Sequence, residues 1–576
     1  MAGESILHVE EEKRSSKLNP IQKELFFERE SSRTDFCKRY EPDEFESRKH
    51  YYPRVLNSQL HPFVSFFFNL STEQMVKRYC HLHPQANSEA LLSALKYVPK
   101  YLRWAGSDLF YVTNEVGNRA MLIVETNSCP SGQKSMPHLS DDDEYGCYRK
   151  LVELTFKPMV LEAQKNQSDF IHEGVLAVLY DKNIMEASGY AAALATVFNE
   201  PVYLVECRDF TSYTRPGETS PPDLVRVKWS EDGVCHIKVT PEEKWLPVRA
   251  CFRYVTQRPW NRIPVDSRTL ILNPTVVCLA GGRNKSLAAL AYDLYNKELK
   301  HHGFQITVPQ TFREVSKRDV PAFVEWLGGR AVVKNPYSNA GQGVYTVTNE
   351  KELNDLMQGH HDYDQFIVQQ LIGNAEWSSI TSKTRYYHVG TMPSAKYLTS
   401  YVYDLRMMVC ATSKGYRPLA MYSRQASAPL PEQLSEGHDS WTILGTNLSV
   451  RKDDGAWDTE TDRLMLVDRK DFNRLGLGID DLIKAFIQTA LATSAIDKMC
   501  CKLINEHTGS LNLSLLATMN PDKALLAEVL QGTPSLKTQH PNAPLHTSDL
   551  SFSDLDLALN QEPHTQILDH YTQKKK

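Results

Sequence analysis

Apolar residues recur at Leu91, Leu92, Leu95, Val98 and Leu102 within QANSEALLSALKYVPKYLRWAG (85–106). That 3.6-residue stripe predicts a helix, and Gly106 is placed to end it, because glycine tolerates the left-handed cap conformation. Two β-rich runs follow, DLFYV (108–112) and AMLIVETN (120–127), joined by a segment holding Gly117 and Asn118. They predict a hairpin. Between 172 and 210 an apolar strand (174–180), a polar loop, an Ala-rich helix (185–198) and a second apolar strand (202–206) succeed one another. This is the pattern of a βαβ unit, which implies a parallel sheet covered by helices. The Pro/Gly/Ser segment SYTRPGETSPPD (212–223) predicts a loop, and over 268–299 an apolar strand runs into a helix.

From 304 to 376 strands and helices alternate: FQITVPQTF, a helix near 318–328, RAVVKNPYSNAGQGVYTVT, a helix near 350–358, then QFIVQQLIG. Long β-rich runs, YLTSYVYDLRMMVCATS and YRPLAMYSRQAS, precede a strongly periodic helix at 479–500. The two ends read differently. Residues 1–50 are dense in Glu, Lys, Arg and Ser, and beyond about 506 the chain is rich in Ser, Thr, Pro, Asn and Gln, with one helix predicted at 521–531. Both ends are expected to be mostly disordered around an α/β body.

Composition narrows the class. Of 576 residues, 41% are hydrophobic and 23% charged, enough to build a core and to exclude a fibrous or wholly disordered chain. Lys and Arg number 65 against 70 Asp and Glu, so there is no general basic field and no nucleic-acid partner is expected. The longest apolar run, PFVSFFFNL (62–70), is too short to span a bilayer, and the first residues lack a basic-then-apolar leader pattern. Eleven cysteines without CxxC or finger spacing read as reduced thiols. A soluble cytoplasmic protein is the expectation.

Four constellations carry chemistry. In AVVKNPYSNAGQGVYTV (331–347) a strand delivers Lys334, and Ser338, Gly341, Gln342 and Gly343 form a small-residue loop before the next strand. Such a loop can bring N–H groups against phosphate oxygens while the lysine offsets their charge; the alternative is an ordinary hairpin. In FIVQQLIGNAEW (366–377) the strand crosses through Gln369, Gln370, Leu371 and Ile372, which can offer an adenine backbone hydrogen bonds and apolar walls, or be a plain core strand. In YDLRMMV (403–409) Asp404 and Arg406 share a strand face, with Arg424 and Asn447 following; arginines suit developing phosphate charge, but exposed strand charges are common. In DLFYV…AMLIVETNSCPSG, Asp108, Glu125 and Asn127 converge on one sheet edge, a donor set suited to Mg²⁺, or else a capped strand end with a polar turn.

Together, the loop after Lys334, the crossing strand, the D-x-R strand, the N-L-S strand and E-x-N-x-x-P-[SG] resemble the ATP-grasp superfamily. The metal-strand pair comes first in the chain, and GVLAVLYDKNIMEASGYAAALATVFNEPVYLVECRDF resembles a pre-ATP-grasp segment. The order is that of the circularly permuted group, which includes glutathionylspermidine-synthetase-like and carboxylate–amine ligase-like proteins. The segment LNPTVVCLAGGRNKSLAAL resembles that group's N-K helix. The loop departs from the pattern in being less glycine-rich.

The resemblance covers roughly 85–505. It implies a permuted strand pair at 51–140, a pre-ATP-grasp domain at 150–300, a nucleotide lobe at 301–376 and a C-lobe at 377–505, with the 1–50 extension and 506–576 tail outside. It further implies that Lys285 and Lys334 contact ATP phosphates under the Ser338–Gly343 loop. Gln369 to Ile372 would hold adenine, Asp108, Glu125 and Asn127 would ligate Mg²⁺, and Arg406 would stabilise the transferred phosphoryl. Ser131, Arg424 and Asn447 would face the acceptor. The implied activity is an ADP-forming ligase that joins small-molecule or peptide carboxylates to amines; a nucleotide-binding scaffold or a kinase are the alternatives. The acidic-apolar run LSFSDLDLAL (550–559) is a possible site for a protein partner, or a disordered stretch with chance leucines.

Overall fold

In the computed structural model the described residues run from 37 to 575, except 141, 167–168, 209–224, 339–340, 382–383, 394–397, 436, 452–456, 534 and 537–561. They build three larger sheets and a small two-stranded one. The first sheet grows from the βαβ unit: Val175–Tyr180 lies parallel to Val202–Glu206, with Leu176 opposite Val202, and the helix Ile184–Phe198 crosses between them. Leu246–Tyr254 adds in parallel on the other side, followed by Leu270–Leu272. These strands read as continuous apolar runs because both faces are covered.

The second sheet is antiparallel and four-stranded, in the order Thr311–Ser316, Gln365–Gln370, Ala331–Lys334, Val344–Val347. Alternation gives it two unlike faces. Val333, Phe366 and Val368 pack against Phe323, Val324 and Leu327, while Lys334 and Gln369 lie on the opposite face, toward the third sheet. The third sheet joins distant segments. Trp104–Asn114 pairs on one side with Arg119–Asn127, the expected hairpin, and on the other with Tyr403–Thr412. The latter pairs in turn with Gly415–Gln425. Register places Asp108 opposite both Glu125 and Arg406, and Asp404 opposite Arg424.

The helix predicted to reach Gly106 stops at Leu95. Asp497, buried in the helix Ile479–Leu503, accepts hydrogen bonds from the N–H groups of Lys100, Tyr101 and Leu102 and from the Tyr97 hydroxyl. One carboxylate thus fixes the chain as it leaves the helix, and Gly106 falls inside the Asp108 strand. The strand expected over FQITVPQTF begins only at Thr311.

Both ends differ from expectation. Residues 1–36 lie outside the described residues, but Cys37–Tyr40 pairs with Val202–Glu206, and Tyr40 and Phe45 are buried, so the packed body begins before residue 50. After 506 the helix expected at 521–531 is present as Lys523–Gly532, and together with an unexpected helix, Leu513–Met519, it packs through Leu516, Leu525, Leu526 and Val529. A last helix, Glu562–Lys575, buries Ile567 against the second sheet's apolar face. Spaced leucines inside a polar composition account for the difference. The predicted loop at 212–223 and the run 550–559 lie outside the described residues. No described helix is long and apolar enough to cross a membrane.

Candidate active site

Lys334 ends its strand on the face turned to the third sheet, and its Nζ donates to Gln369 Oε1 at 2.7 Å. Gln369 Nε2 in turn donates to Thr311 Oγ1 at 2.8 Å. Burial pushes the Lys334 ammonium down to about 8, against the pull of Glu125. Lys285 opens the helix Lys285–Leu299, whose Asn284 cap accepts from Leu287 N–H. Its Nζ donates to the Ser338 carbonyl at 2.6 Å and lies 3.3 Å from Glu125 Oε1. Burial opposes ionisation of Glu125, but Lys285 and the other nearby cations outweigh it and hold the carboxyl below its ordinary value.

The loop beyond Ser338 turns through left-handed backbone at Gly341 (φ 74°) and Gly343 (φ 61°). A Cβ at Gly343 would meet Asn335 Cβ at 2.9 Å, and one at Gly341 would meet the Asn447 amide at 3.1 Å. Glycine is therefore required at both by conformation and by space. The neighbouring Asn339 and Ala340 lie outside the described residues. Ser338 donates its hydroxyl to Asn335 O, and Gln342 is half-buried without bordering the cavity described below.

The third sheet supplies a buried charged floor. Arg406 clamps Asp108, Nε to Oδ1 at 2.6 Å and Nη2 to Oδ2 at 2.8 Å. Arg424 Nη2 lies 3.0 Å from Asp108 Oδ2, and Arg424 also forms a two-pronged pair with Asp404, which accepts from Thr446 Oγ1 as well. Burial works against the Asp108 charge, but Arg406 and Arg424 prevail and hold its carboxyl far below the carboxylate range. Two aspartates thus balance two arginines, the condition under which such charges tolerate burial.

This floor corrects two expectations. Asp108 has both oxygens turned to guanidiniums, so it is not placed as a metal ligand. Arg406 spends its remaining Nη1 on Ser131 O and Tyr422 Oη, which leaves it one of its five N–H donors. Arg424 Nη1, by contrast, has no hydrogen-bond partner among the described residues. Ser131 is also committed, donating to Glu186 Oε2 and accepting from Asn183 Nδ2.

Between the second and third sheets lies a cavity of about 150 Å³ that brings together Glu125, Lys285, Lys334, Gly341, Arg424 and Asn447. Asp108, Asn127, Gln369, Gln370, Ile372 and Arg406 also line it. Leu371 does not: it is fully buried, and its N–H and C=O are both taken by Ser379. A larger cavity of about 630 Å³ shares Glu125, Lys285, Lys334 and Gln369 and extends to Tyr292, Trp326 and His564. The larger cavity is by itself within the size range of small-ligand sites.

Among the described residues no three His, Cys, Asp or Glu side chains come together as a metal site. The donors that fit Mg²⁺ are Glu125 and Asn127. The Asn127 side chain is buried, its Oδ1 accepting from Arg283 Nη1 at 3.1 Å while its Nδ2 has no partner among the described residues. The unpartnered Nδ2 is a donor and suits a phosphate oxygen rather than a cation, whereas the Oδ1 that would face Mg²⁺ already accepts from Arg283.

No protein-family model matches the chain, and no curated protein matches it. Among solved structures, a protein provisionally assigned as a gamma-glutamylcysteine synthetase from Methylobacillus flagellatus is similar over 77% of this chain and 99% of its own, at 12% identity and a TM-score of 0.38. A glutathione synthetase-like effector from Globodera pallida is similar over 71% and 95%, at 12% identity and 0.34. The D-alanyl-alanine synthetase A of Vibrio cholerae is similar over 44% and 89%, at 12% identity and 0.26. Such scores assign neither activity nor substrate.

Sequence reasoning passed over Glu186, which is wholly buried and accepts from the Gly132 and Gln133 N–H groups as well as Ser131, fixing the turn after Asn127. Its only signal was an acid inside an otherwise apolar helix.

Proposed function

We propose that the chain is an ATP- and Mg²⁺-dependent ligase of ATP-grasp type in circularly permuted order. It would activate a carboxylate as an acyl-phosphate, releasing ADP, and pass the acyl group to an amine or similar nucleophile, releasing inorganic phosphate. The observation that supports this best is the meeting of Lys285, Lys334 and Gly341 with Glu125, Asn127 and Arg424 in one cavity, although they come from segments far apart in the chain. The contact of Asp497 with residues 97–102 supports the permuted order, because it sets the Ile479–Leu503 helix beside the entrance to the Asp108 strand.

In this reading Lys285 and Lys334 neutralise phosphate oxygens, and the Gly341 turn closes over them. Glu125 and Asn127 would hold Mg²⁺, which when bound supplies charge neutralisation at the β- and γ-phosphates. Gln370 and Ile372 border the adenine end. The free Nη1 edge of Arg424 meets the transferred phosphoryl or the acid being activated, and Asp404 and Asp108 keep that guanidinium in place. Catalysis is then mainly positioning and charge stabilisation. Substrates are small-molecule or peptide carboxylates and amines.

The test is a metabolite extract incubated with the protein and ATP, followed by mass spectrometry. A condensed product formed with ADP is the expected outcome. AMP as the nucleotide product would overturn the acyl-phosphate chemistry. A phosphorylated hydroxyl compound would make the protein a kinase, and no nucleotide turnover would leave a nucleotide-binding scaffold.

A further inference from the structure

The root of the phosphate loop is held by a segment that follows the long Ile479–Leu503 helix. Beyond Lys334 the chain runs Asn335-Pro336-Tyr337-Ser338, and Lys285 grips it twice, its N–H on Pro336 O at 2.9 Å and its Nζ on Ser338 O. Between these two contacts Tyr337 turns inward and is 4% exposed. Its ring meets Tyr363 edge-on at 4.7 Å and Trp260 at 6.1 Å. Its hydroxyl donates to Asp522 Oδ2 at 3.0 Å and accepts from Asn520 Nδ2 at 2.7 Å.

Asn520 and Asp522 are themselves 1% and 6% exposed. Asp522 also caps the helix Lys523–Gly532, accepting from Ala524 and Leu525 N–H. Nearly two turns on, Glu528 of the same helix accepts from Trp260 Nε1 at 2.7 Å and Tyr363 Oη at 3.1 Å. Both aromatic neighbours of Tyr337 are thus tied to the helix that binds its hydroxyl. Apolar side chains would fill this space without a buried carboxylate. Polar groups satisfied this fully fix one geometry rather than merely filling volume.

We propose that Asn520, Asp522 and Glu528 are positioning residues of the nucleotide site: through Tyr337 they hold the Pro336–Ser338 root, and with it the Lys285 contact, in the phosphate-binding arrangement. This rests on the nucleotide reading above and adds to it a brace from outside the region of resemblance.

Tyr337→Phe removes the hydroxyl and keeps the ring, and Asp522→Asn is its counterpart. In the ligand-free protein, hydrogen exchange of the amides at 338–344 should accelerate in both variants. Mg²⁺–ATP affinity by calorimetry should fall about tenfold, the scale of one lost hydrogen bond to a charged group. The double variant should be no worse than Tyr337→Phe alone, since that change already removes the contact to Asp522. Leu526→Ala, which loosens the helix away from Tyr337, should lower the melting temperature without changing loop exchange. Unchanged exchange in Tyr337→Phe would overturn the brace, as would equal acceleration in Leu526→Ala. Absence of ATP binding by the unaltered protein would instead remove the nucleotide reading, with the exchange arm still deciding whether the loop is held.

Discussion

Lys334 and Glu125 show what single positions can reveal. A lysine ending an apolar strand before a glycine turn, and a carboxylate at the end of another, are legible because strand alternation fixes which way each points. What alternation cannot give is the residue across the strand. Asp108 has the right type and position for a metal ligand, yet register sets Arg406 opposite it, and Arg424 reaches the same carboxylate. Removing that carboxylate leaves two buried guanidiniums short of a partner. Asp108→Asn is therefore expected to cost about 3–5 kcal/mol in chemical denaturation; a loss below 1 kcal/mol would show that the floor is not held by charge.

Lys334 has a pH signature whose sign follows from burial. Its folded value, about 8, lies below the ordinary 10.5. The unfolded chain therefore binds more protons between those limits, and this residue's contribution makes stability rise with pH across that window while its cost persists in full below it. Phosphate charge beside the ammonium favours the protonated form. ATP binding at pH 8.5 should then take up protons, measured by calorimetry in buffers of different ionisation heat, and the uptake should fade toward pH 6.5, where Lys334 is already protonated. Lys182, also lowered to about 8 by burial, serves as the control through Lys182→Met.

At the scale of elements, the βαβ unit and the second strand of the hairpin emerged nearly residue for residue, since their periods are local. The first strand of the hairpin runs beyond 108–112 at both ends, as Trp104–Asn114. The miss at Gly106 was not local: the helix ends where Asp497, on a helix from the far end of the chain, gathers the backbone N–H groups of residues 100–102. Of the helices after 506, Lys523–Gly532 was legible at 521–531, but Leu513–Met519 and the packing of both were hidden by a polar composition, because a short helix needs only three or four buried positions. Leu525, Leu526 and Val529 are all buried, and at about 1.5–3 kcal/mol for each such side chain the segment contributes several kcal/mol. Truncation before Leu511 should lower the melting temperature by roughly 5 °C or more, whereas removal of residues 1–36 should leave it within a degree or two. A truncation before Leu511 that melts like the whole chain would show the helices to be dispensable.

For the whole molecule, Asp108 and Arg406 are 298 residues apart and hydrogen-bonded. No periodicity announces such a pairing, and only the order of short motifs pointed to it. The resemblance gave the phosphoryl to Arg406, whereas Arg406 Nη1 is taken by Ser131 and Tyr422 and Arg424 is held by Asp404, an outcome that depends on all three partners together. The central claim is that Glu125, from an early strand, and Lys334, from a late one, serve the same Mg²⁺–ATP.

Calorimetric titration with ATP, with and without Mg²⁺, tests this most directly in the unaltered protein, Glu125→Gln and Lys334→Ala. The expected result is Mg²⁺-enhanced binding in the unaltered protein, loss of the enhancement but retention of weaker ATP binding in Glu125→Gln, and abolition of binding in Lys334→Ala. A full Mg²⁺ enhancement in Glu125→Gln, or unchanged affinity in Lys334→Ala, would contradict it.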